Sequence, residues 1–167
     1  MIKVLFVCLG NICRSPMAEA VFRDMLKKEG LLHNFEVDSA GIGGWHEGER
    51  PHIGTRRILD EKGISYEGLY ARKIKREDFE RFDYIIGMDE ENLHSLNRMK
   101  GDSKAHIGLM LDFVDGIQDK NVPDPYYTGN FDYVYQLIKE GCQSFLDKMK
   151  KEHLDAGDGN EWRPENS

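Results

Sequence analysis

Near its start the chain carries Val4-Leu5-Phe6-Val7, a continuous apolar run closed downstream by Gly10 and Asn11. An unbroken run of this length suits a strand covered on both faces. From Pro16 to Glu29 the spacing turns helical, with Ala18, Val21, Phe22 and Met25 on one face, Pro16 in the first turn and Gly30 as the stop. Phe35 to Ser39 reads as a second strand, ended by Ala40-Gly41 and the Gly43-Gly44 turn. Ile53 to Lys62 reads as a helix stopped by Gly63, with Ile53, Ile58 and Leu59 facing inward. Arg76 to Arg81 fits one or two helical turns, Tyr84 to Met88 a buried strand, Glu90 to Met99 a helix and His106 to Leu111 a last strand. A loop over Asp112 to Tyr127 leads to a helix from Asn130 to Lys151, where Val134, Leu137, Ile138, Cys142, Phe145 and Met149 keep helical spacing. Strands alternating with helices predict an α/β fold, a parallel sheet with helices on both faces, in a single domain over residues 1–153. The stretch 154–167, rich in Asp, Gly, Asn and Glu, reads as a disordered tail.

With 167 residues, 40% of them hydrophobic and 32% charged, the chain can enclose one core and has the composition of a soluble protein. Its 23 basic residues against 30 acidic ones argue against nucleic acid or an anionic membrane as partner, since both are held by clustered Lys and Arg. One well-placed Arg can still recognise one phosphate. The segment Met1 to Val7 has no small-residue cleavage site and is too short to span a bilayer, so no membrane insertion is expected. Cys8, Cys13 and Cys142 cannot all pair, and two of them share one loop. That points to reactive, redox-sensitive thiols in a cytoplasmic protein rather than to a secreted disulfide framework. A monomer is the simplest expectation.

The chemistry is concentrated in Cys8-Leu9-Gly10-Asn11-Ile12-Cys13-Arg14-Ser15-Pro16. This segment joins a buried strand to a helix, so its backbone N–H groups face the space ahead of a helix N-terminus. Unpaired donors and the positive end of the dipole hold an anion there. Gly10 and Asn11 tolerate the left-handed conformation that lets successive N–H groups converge. Arg14 supplies a planar guanidinium able to grip two phosphate oxygens, and Ser15 can donate its hydroxyl to Cys8. The same field favours a thiolate at Cys8, already a nucleophile. A lone cysteine at a strand end is more often an inert buried hydrophobe. An arginine after five intervening residues, set between strand and helix, overrides that reading. The loop lacks the Gly-Lys-Ser/Thr ending of a nucleoside-triphosphate site, and Gly41-Ile42-Gly43-Gly44 lacks the third glycine of a dinucleotide fingerprint.

Attack on a phosphate ester expels an alkoxide or phenoxide, which a positioned acid can protonate. Val122-Pro123-Asp124-Pro125-Tyr126-Tyr127 offers one: prolines restrain Asp124 from both sides, and Tyr126 and Tyr127 offer flat walls to an aromatic leaving group. Alone, the segment is an ordinary Asp-Pro turn. Beside a loop that needs an acid, Asp124 becomes the best-framed carboxylate. The six histidines show no metal-ligand spacing and read as surface or partly buried residues.

Cys8 through Ser15, Asp38-Ser39-Ala40-Gly41, Trp45, Phe82-Asp83-Tyr84-Ile85, Met88-Asp89 and Asp124-Pro125-Tyr126-Tyr127 together resemble the low-molecular-weight protein-tyrosine phosphatases, over about Ile2 to Glu152. The resemblance implies a four-stranded parallel sheet with the phosphate-binding loop after the first strand, and neither metal nor organic cofactor. It implies a phosphocysteine on Cys8, Arg14 holding the phosphoryl oxygens, and Asp124 acting first as acid and then as base. Asn11 and Ser39 would brace the loop, Asp89 would orient Arg14, and Trp45 would join Tyr126 and Tyr127 at the rim. Substrates would be tyrosine-phosphorylated proteins or peptides. Among such relatives a threonine at the position of Ile12 accompanies phosphoarginine hydrolysis, and a bulky aliphatic residue accompanies phosphotyrosine. A histidine that often supports the loop asparagine is replaced here by Leu69, next to Tyr70. An arsenate reductase on the same fold would need a relay of further cysteines, and none lies between Cys13 and Cys142. A non-catalytic phosphate-binding module would need neither Cys8 nor Asp124.

Overall fold

The computed structural model describes residues 1–154. β1 (Ile2–Cys8) is an interior strand, flanked by β2 (Phe35–Gly41) and β3 (Tyr84–Gly87), with β4 (His106–Leu109) outside β3. All three pairings are parallel. Parallel neighbours need crossovers, and the helices supply them. α1 (Arg14–Lys28) connects β1 to β2, α2 (Ile53–Glu61) and α3 (Asp78–Arg81) lie between β2 and β3, and α4 (Glu90–Met99) leads to β4. α5 (Pro125–Thr128) and α6 (Phe131–Met149) follow.

The unbroken apolar run of β1 is explained by its two covered faces. Val4, Phe6 and Cys8 join a core with α1 and α6, whereas Leu5 and Val7 point to a second core containing Phe79, Phe82, Ile85 and Leu96. The strand order reverses between β1 and β3, and at such a switch point the loops leaving the carboxyl ends of the two strands part to leave a crevice. Cys8 ends β1 and Asp89 follows β3, so the topology alone brings these segments to one place.

Four expectations are corrected. The last strand stops at Leu109, because Asp112 Oδ2 accepts the Leu109 N–H at 2.8 Å and closes a 3-10 turn over Met110–Phe113. The expected loop to Tyr127 contains α5, for which Asp124 is the N-cap and Pro125 the first residue. Ile53 faces outward, since it begins α2 immediately after its cap, His52, whose Nδ1 accepts the Gly54 N–H at 2.9 Å. At the C-terminal end a π turn over Lys150–Leu154 carries Leu154, expected in the tail, into the core with α6. The rest of that tail, 155–167, lies outside the described residues. Among the described residues no helix is long and apolar enough to cross a membrane.

Candidate active site

The loop between β1 and α1 is held open by its own carbonyls. Ile42 N–H donates to Cys8 O at 2.9 Å, Gly43 N–H to Leu9 O at 2.9 Å, His52 N–H to Ile12 O at 2.7 Å, and Thr55 Oγ1 to Cys13 O at 3.1 Å. A trans peptide plane aims its N–H opposite to its C=O. The N–H groups of Leu9, Gly10, Cys13 and Arg14 therefore turn away from these anchors, toward the inside of the loop. Asn11 supplies the left-handed step, with φ of 59°, the conformation from which an anion-binding nest is built. Cys8 Sγ lies at the foot of the loop, 2.9 Å from Ser15 Oγ.

Among the described residues Arg14 is the largest fully buried side chain, only 2% exposed. Its Nη1 donates to Asp89 Oδ2 at 2.6 Å and to Val122 O at 2.9 Å, while Nη2 lies 3.4 Å from Asp124 Oδ2. Nε has no hydrogen-bond partner among the described residues. The guanidinium is thus anchored on one edge and keeps donors for an anion on the other. Burial alone would lower its pKa, but Cys8, Asp89 and Asp124 outweigh that and raise it, so the cation is secure.

Asp124 Oδ1 accepts the Tyr126 N–H at 3.1 Å, which caps α5 and holds the carboxylate over the loop. The cavity beneath it has a volume of about 220 Å³ and is lined by Cys8, Leu9, Gly10, Ile12, Cys13, Arg14, Trp45, His46, Asp124, Tyr126 and Tyr127. Of the expected loop residues, Cys8, Leu9, Gly10, Ile12, Cys13 and Arg14 thus meet Asp124 and the aromatic rim in one pocket, whereas Asn11 and Ser15 do not line it. Trp45 and Tyr127 are 69% and 75% exposed, so the rim stands open to solvent. Trp45 can lie as it does only because Gly43 has no side chain; a Cβ there would stand 2.1 Å from the indole ring.

The loop is braced from behind. Asn11 Nδ2 donates to Ser15 Oγ at 2.8 Å and to Ser39 Oγ at 3.0 Å, and Asn11 Oδ1 accepts the Arg72 N–H at 2.9 Å. The carboxamide is fully engaged although Leu69 stands where relatives often have histidine, because a backbone N–H takes part in the support. Leu69 itself packs against the core.

Two residues of the site were missed by sequence reasoning. His46 lies over Gly10, close enough that a Cβ on Gly10 would meet its Cδ2 at 3.1 Å, and its Nδ1 is 3.1 Å from Glu49 Oε2. Adjacency to Trp45 was the available clue. Glu19 is buried behind the loop and accepts from Ser39 Oγ at 2.7 Å. Its clue was a carboxylate inside the apolar stretch Met17-Ala18-Glu19-Ala20-Val21-Phe22. At Cys13, burial, then Cys8 and Asp124, push the thiol up to about 12. Cys142 is fully buried on α6, with Sγ 3.8 Å from Ala18 O. Among the described residues no group of three or more His, Cys, Asp or Glu side chains is placed to hold a metal ion.

Comparison with known proteins agrees with this geometry. Residues 3–155 match the family described as low molecular weight phosphotyrosine protein phosphatase. The low molecular weight protein-tyrosine-phosphatase YfkJ of Bacillus subtilis is 56% identical over 153 residues, covering 91% of this chain and 98% of that protein. Its crystal structure superposes with a TM-score of 0.90 at 55% identity, covering 92% of this chain and 98% of the other. The low molecular weight protein-tyrosine-phosphatase PtpA of Staphylococcus aureus is 40% identical over 152 residues, 91% of this chain and 96% of that one. A drosophila arginine phosphatase superposes with a TM-score of 0.84 at 36% identity, covering 89% and 98% of the two chains. With a family match over almost the whole described length and relatives matched nearly end to end, this chain belongs to the low molecular weight phosphotyrosine protein phosphatase family.

Proposed function

We propose that this protein hydrolyses phosphotyrosine in proteins or peptides without a metal, through a phosphocysteine formed on Cys8. The observation that carries the reading is the meeting of Cys8, Arg14 and Asp124 in one pocket with an aromatic rim. The loop N–H groups and Arg14 bind the phosphoryl oxygens and place phosphorus above Cys8 Sγ. The thiolate forms the S–P bond as the P–O bond to tyrosine breaks, and Asp124 gives its proton to the departing oxygen. Asp124, now a carboxylate, takes a proton from water as that water attacks phosphorus and the S–P bond breaks. Phosphate leaves and Cys8 returns as a thiolate, for which Ser15 Oγ is the donor. Arg14 and the loop stabilise the charge on the equatorial oxygens in both steps.

Substrate choice follows from shape. Cys8 is almost fully buried and the rim rings are exposed, so a planar phenyl ester reaches the floor along Trp45, Tyr126 and Tyr127, whereas the shorter phosphoserine does not. Ile12 puts aliphatic bulk at the pocket wall, which supports phosphotyrosine over phosphoarginine. The buried, solitary Cys142 gives no support to a thiol relay of the arsenate reductase kind. A cytoplasmic, monomeric enzyme fits the composition and cysteine usage.

Rapid mixing with an aryl phosphate tests the reading. A burst of phenol followed by slower turnover is expected from the covalent intermediate, and Cys8→Ser should abolish turnover while still binding inorganic phosphate. Residual turnover in a clean Cys8→Ser preparation would remove Cys8 as nucleophile. Faster hydrolysis of phosphoserine than phosphotyrosine peptides would overturn the substrate class alone.

A further inference from the structure

Glu19 follows Ser15 by one helical turn on α1 and is only 3% exposed. Both of its oxygens accept hydrogen bonds: Oε1 accepts from Ser39 Oγ at 2.7 Å, and Oε2 accepts from Arg23 Nε at 3.0 Å with Arg23 Nη2 also at 3.0 Å. With its hydrogen given to Glu19, Ser39 offers its oxygen to Asn11 Nδ2. The other hydrogen of Nδ2 goes to Ser15 Oγ, whose own hydrogen then has two acceptors, Cys8 Sγ at 2.9 Å and, more distant, Ala40 O at 3.4 Å. The Arg72 N–H on Asn11 Oδ1 fixes the carboxamide against flipping, so the chain of donors has one direction. A carboxyl proton does not fit this arrangement. On Oε1 it would oppose the Ser39 hydrogen and force that hydroxyl to rotate off Glu19, which unsettles its contact with Asn11; on Oε2 it would displace Arg23.

We propose that Glu19 is a positioning residue for the phosphatase reaction, whose carboxylate orders the hydrogen bonds running through Ser39, Asn11 and Ser15 to Cys8, and whose protonation slackens the loop and slows turnover. The inference rests on Cys8 being the nucleophile. Asn11 holds a left-handed conformation unusual for a residue with a side chain, and this needs surrounding contacts to persist. Loss of the Ser39 contact removes one of them. Burial raises the Glu19 carboxyl to about 7, against hydrogen bonds from Ser39 and the charge of Arg23, while Asp38 on β2 pushes the same way as burial. Asp38 is itself paired with Arg72. The ordered form therefore prevails above neutrality and is lost on acidification within the working range of such an enzyme.

The test compares the wild-type protein with Glu19→Gln, measuring kcat and KM for an aryl phosphate across pH and, separately, the pH dependence of Cys8 alkylation by iodoacetate. Glutamine keeps the volume and loses the charge. The expected result is a kcat lower by roughly ten- to a hundredfold above neutrality, the range for one hydrogen bond to a charged group. The activity step near pH 7 should vanish, and alkylation should move to higher pH. Ser39→Ala cuts the same chain while leaving Glu19 in place and should also flatten the step, which keeps the idea testable if Glu19→Gln folds poorly. Wild-type kcat in both variants, or an equal loss at every pH with alkylation unmoved, would overturn the proposal. Failure of the underlying enzymatic reading would look different: the wild-type protein would not turn over the ester, or Cys8→Ser would.

Discussion

Asp89 holds Arg14 with one carboxylate oxygen and caps a helix with the other. Oδ2 accepts from Arg14 Nη1 at 2.6 Å, while Oδ1 accepts the Asn92 N–H at 2.8 Å at the start of α4. Asn92 returns the contact, its Oδ1 accepting the Asp89 N–H at 3.3 Å. Arg14 is therefore aimed by a helix terminus that is distant in sequence but adjacent in the sheet, because β1 and β3 are neighbours.

Asp89→Ala should lower kcat by roughly ten- to a hundredfold, the range for a lost charge-assisted hydrogen bond, as Arg14 gives up one edge anchor. Asp89→Asn keeps an acceptor for Asn92 and should recover the helix cap better than the activity. Steady-state kinetics alongside thermal melting separates the two effects. Equal kcat in wild type and Asp89→Ala would mean that Val122 O and Asp124 suffice to aim the guanidinium.

Asp124→Ala should cost ~10²–10⁴ in rate for phenyl esters of high leaving-group pKa and far less for an activated ester that departs without a proton. Asp124 also caps α5, so some general weakening is expected in both cases. The diagnostic quantity is the ratio of the two losses. A ratio near one would make Asp124 a cap and nothing more.

The chemistry was legible in the sequence where one short segment carried it. Cys8 to Ser15 announces strand, anion nest and cation together, and the bounds of α4 were read correctly because Asp89 is a strong cap before an amphipathic stretch. What escaped notice depended on partners distant in sequence. The Arg72 N–H that supports Asn11 is a backbone group, and no residue identity signals it. Glu19 was passed over because helical spacing describes faces, and only the fold puts β2 with Ser39 against that face. The α5 turn was hidden because Asp124-Pro125 reads equally as a restrained acid or an ordinary Asp-Pro turn, although the same pair is a good N-cap and first-turn combination.

Oxidation should convert Cys8 and Cys13 into a reversible disulfide. Peroxide takes the Cys8 thiolate to a sulfenic acid, and attack by Cys13 sulfur forms the S–S bond with loss of water. The thiol of Cys13 is pushed up to about 12 by burial and then by Cys8 and Asp124. Oxidation removes the Cys8 charge and so eases ionisation of Cys13 at the moment it is needed. Thiol-restored activity in wild type, with Cys13→Ser inactivated permanently, is the expected pattern. Irreversible sulfinic acid at Cys8 with Cys13 still free would show that Cys13 only packs the loop against Ala71 and Ile12.

Ile12 sits in the pocket wall and packs against Cys13, Ala71 and Phe131. Replacing it with Thr exchanges apolar bulk for a hydroxyl that can place a polar guanidinium and a water. Ile12→Thr should therefore narrow the preference for phosphotyrosine over phosphoarginine on matched peptides. Unchanged specificity constants would move the discrimination to the rim, where His46 is the next side chain to examine.

The same Glu19 that orders the loop should be a burden on stability, and the pH dependence shows the sign. An unfolded glutamate releases its proton near pH ~4.3. In the folded protein burial holds that proton up to about 7. Stability associated with the neutral form is thus fully present below about pH 4 and is lost as the pH rises through 7. By pH 8 ionisation of the buried carboxyl has removed roughly 3–4 kcal/mol of the stability present when it is neutral. Glutamine cannot ionise, so Glu19→Gln should gain on wild type by up to that amount as the pH goes from about 4 to 8, read from denaturant midpoints. Other groups titrate in both proteins and cancel in the difference. A difference that stays flat with pH would mean that Arg23 and Ser39 already hold Glu19 ionised at low pH, and the acid step in activity would then need another owner. A variant that is more stable and slower above neutrality is the joint outcome that a purely structural glutamate cannot produce.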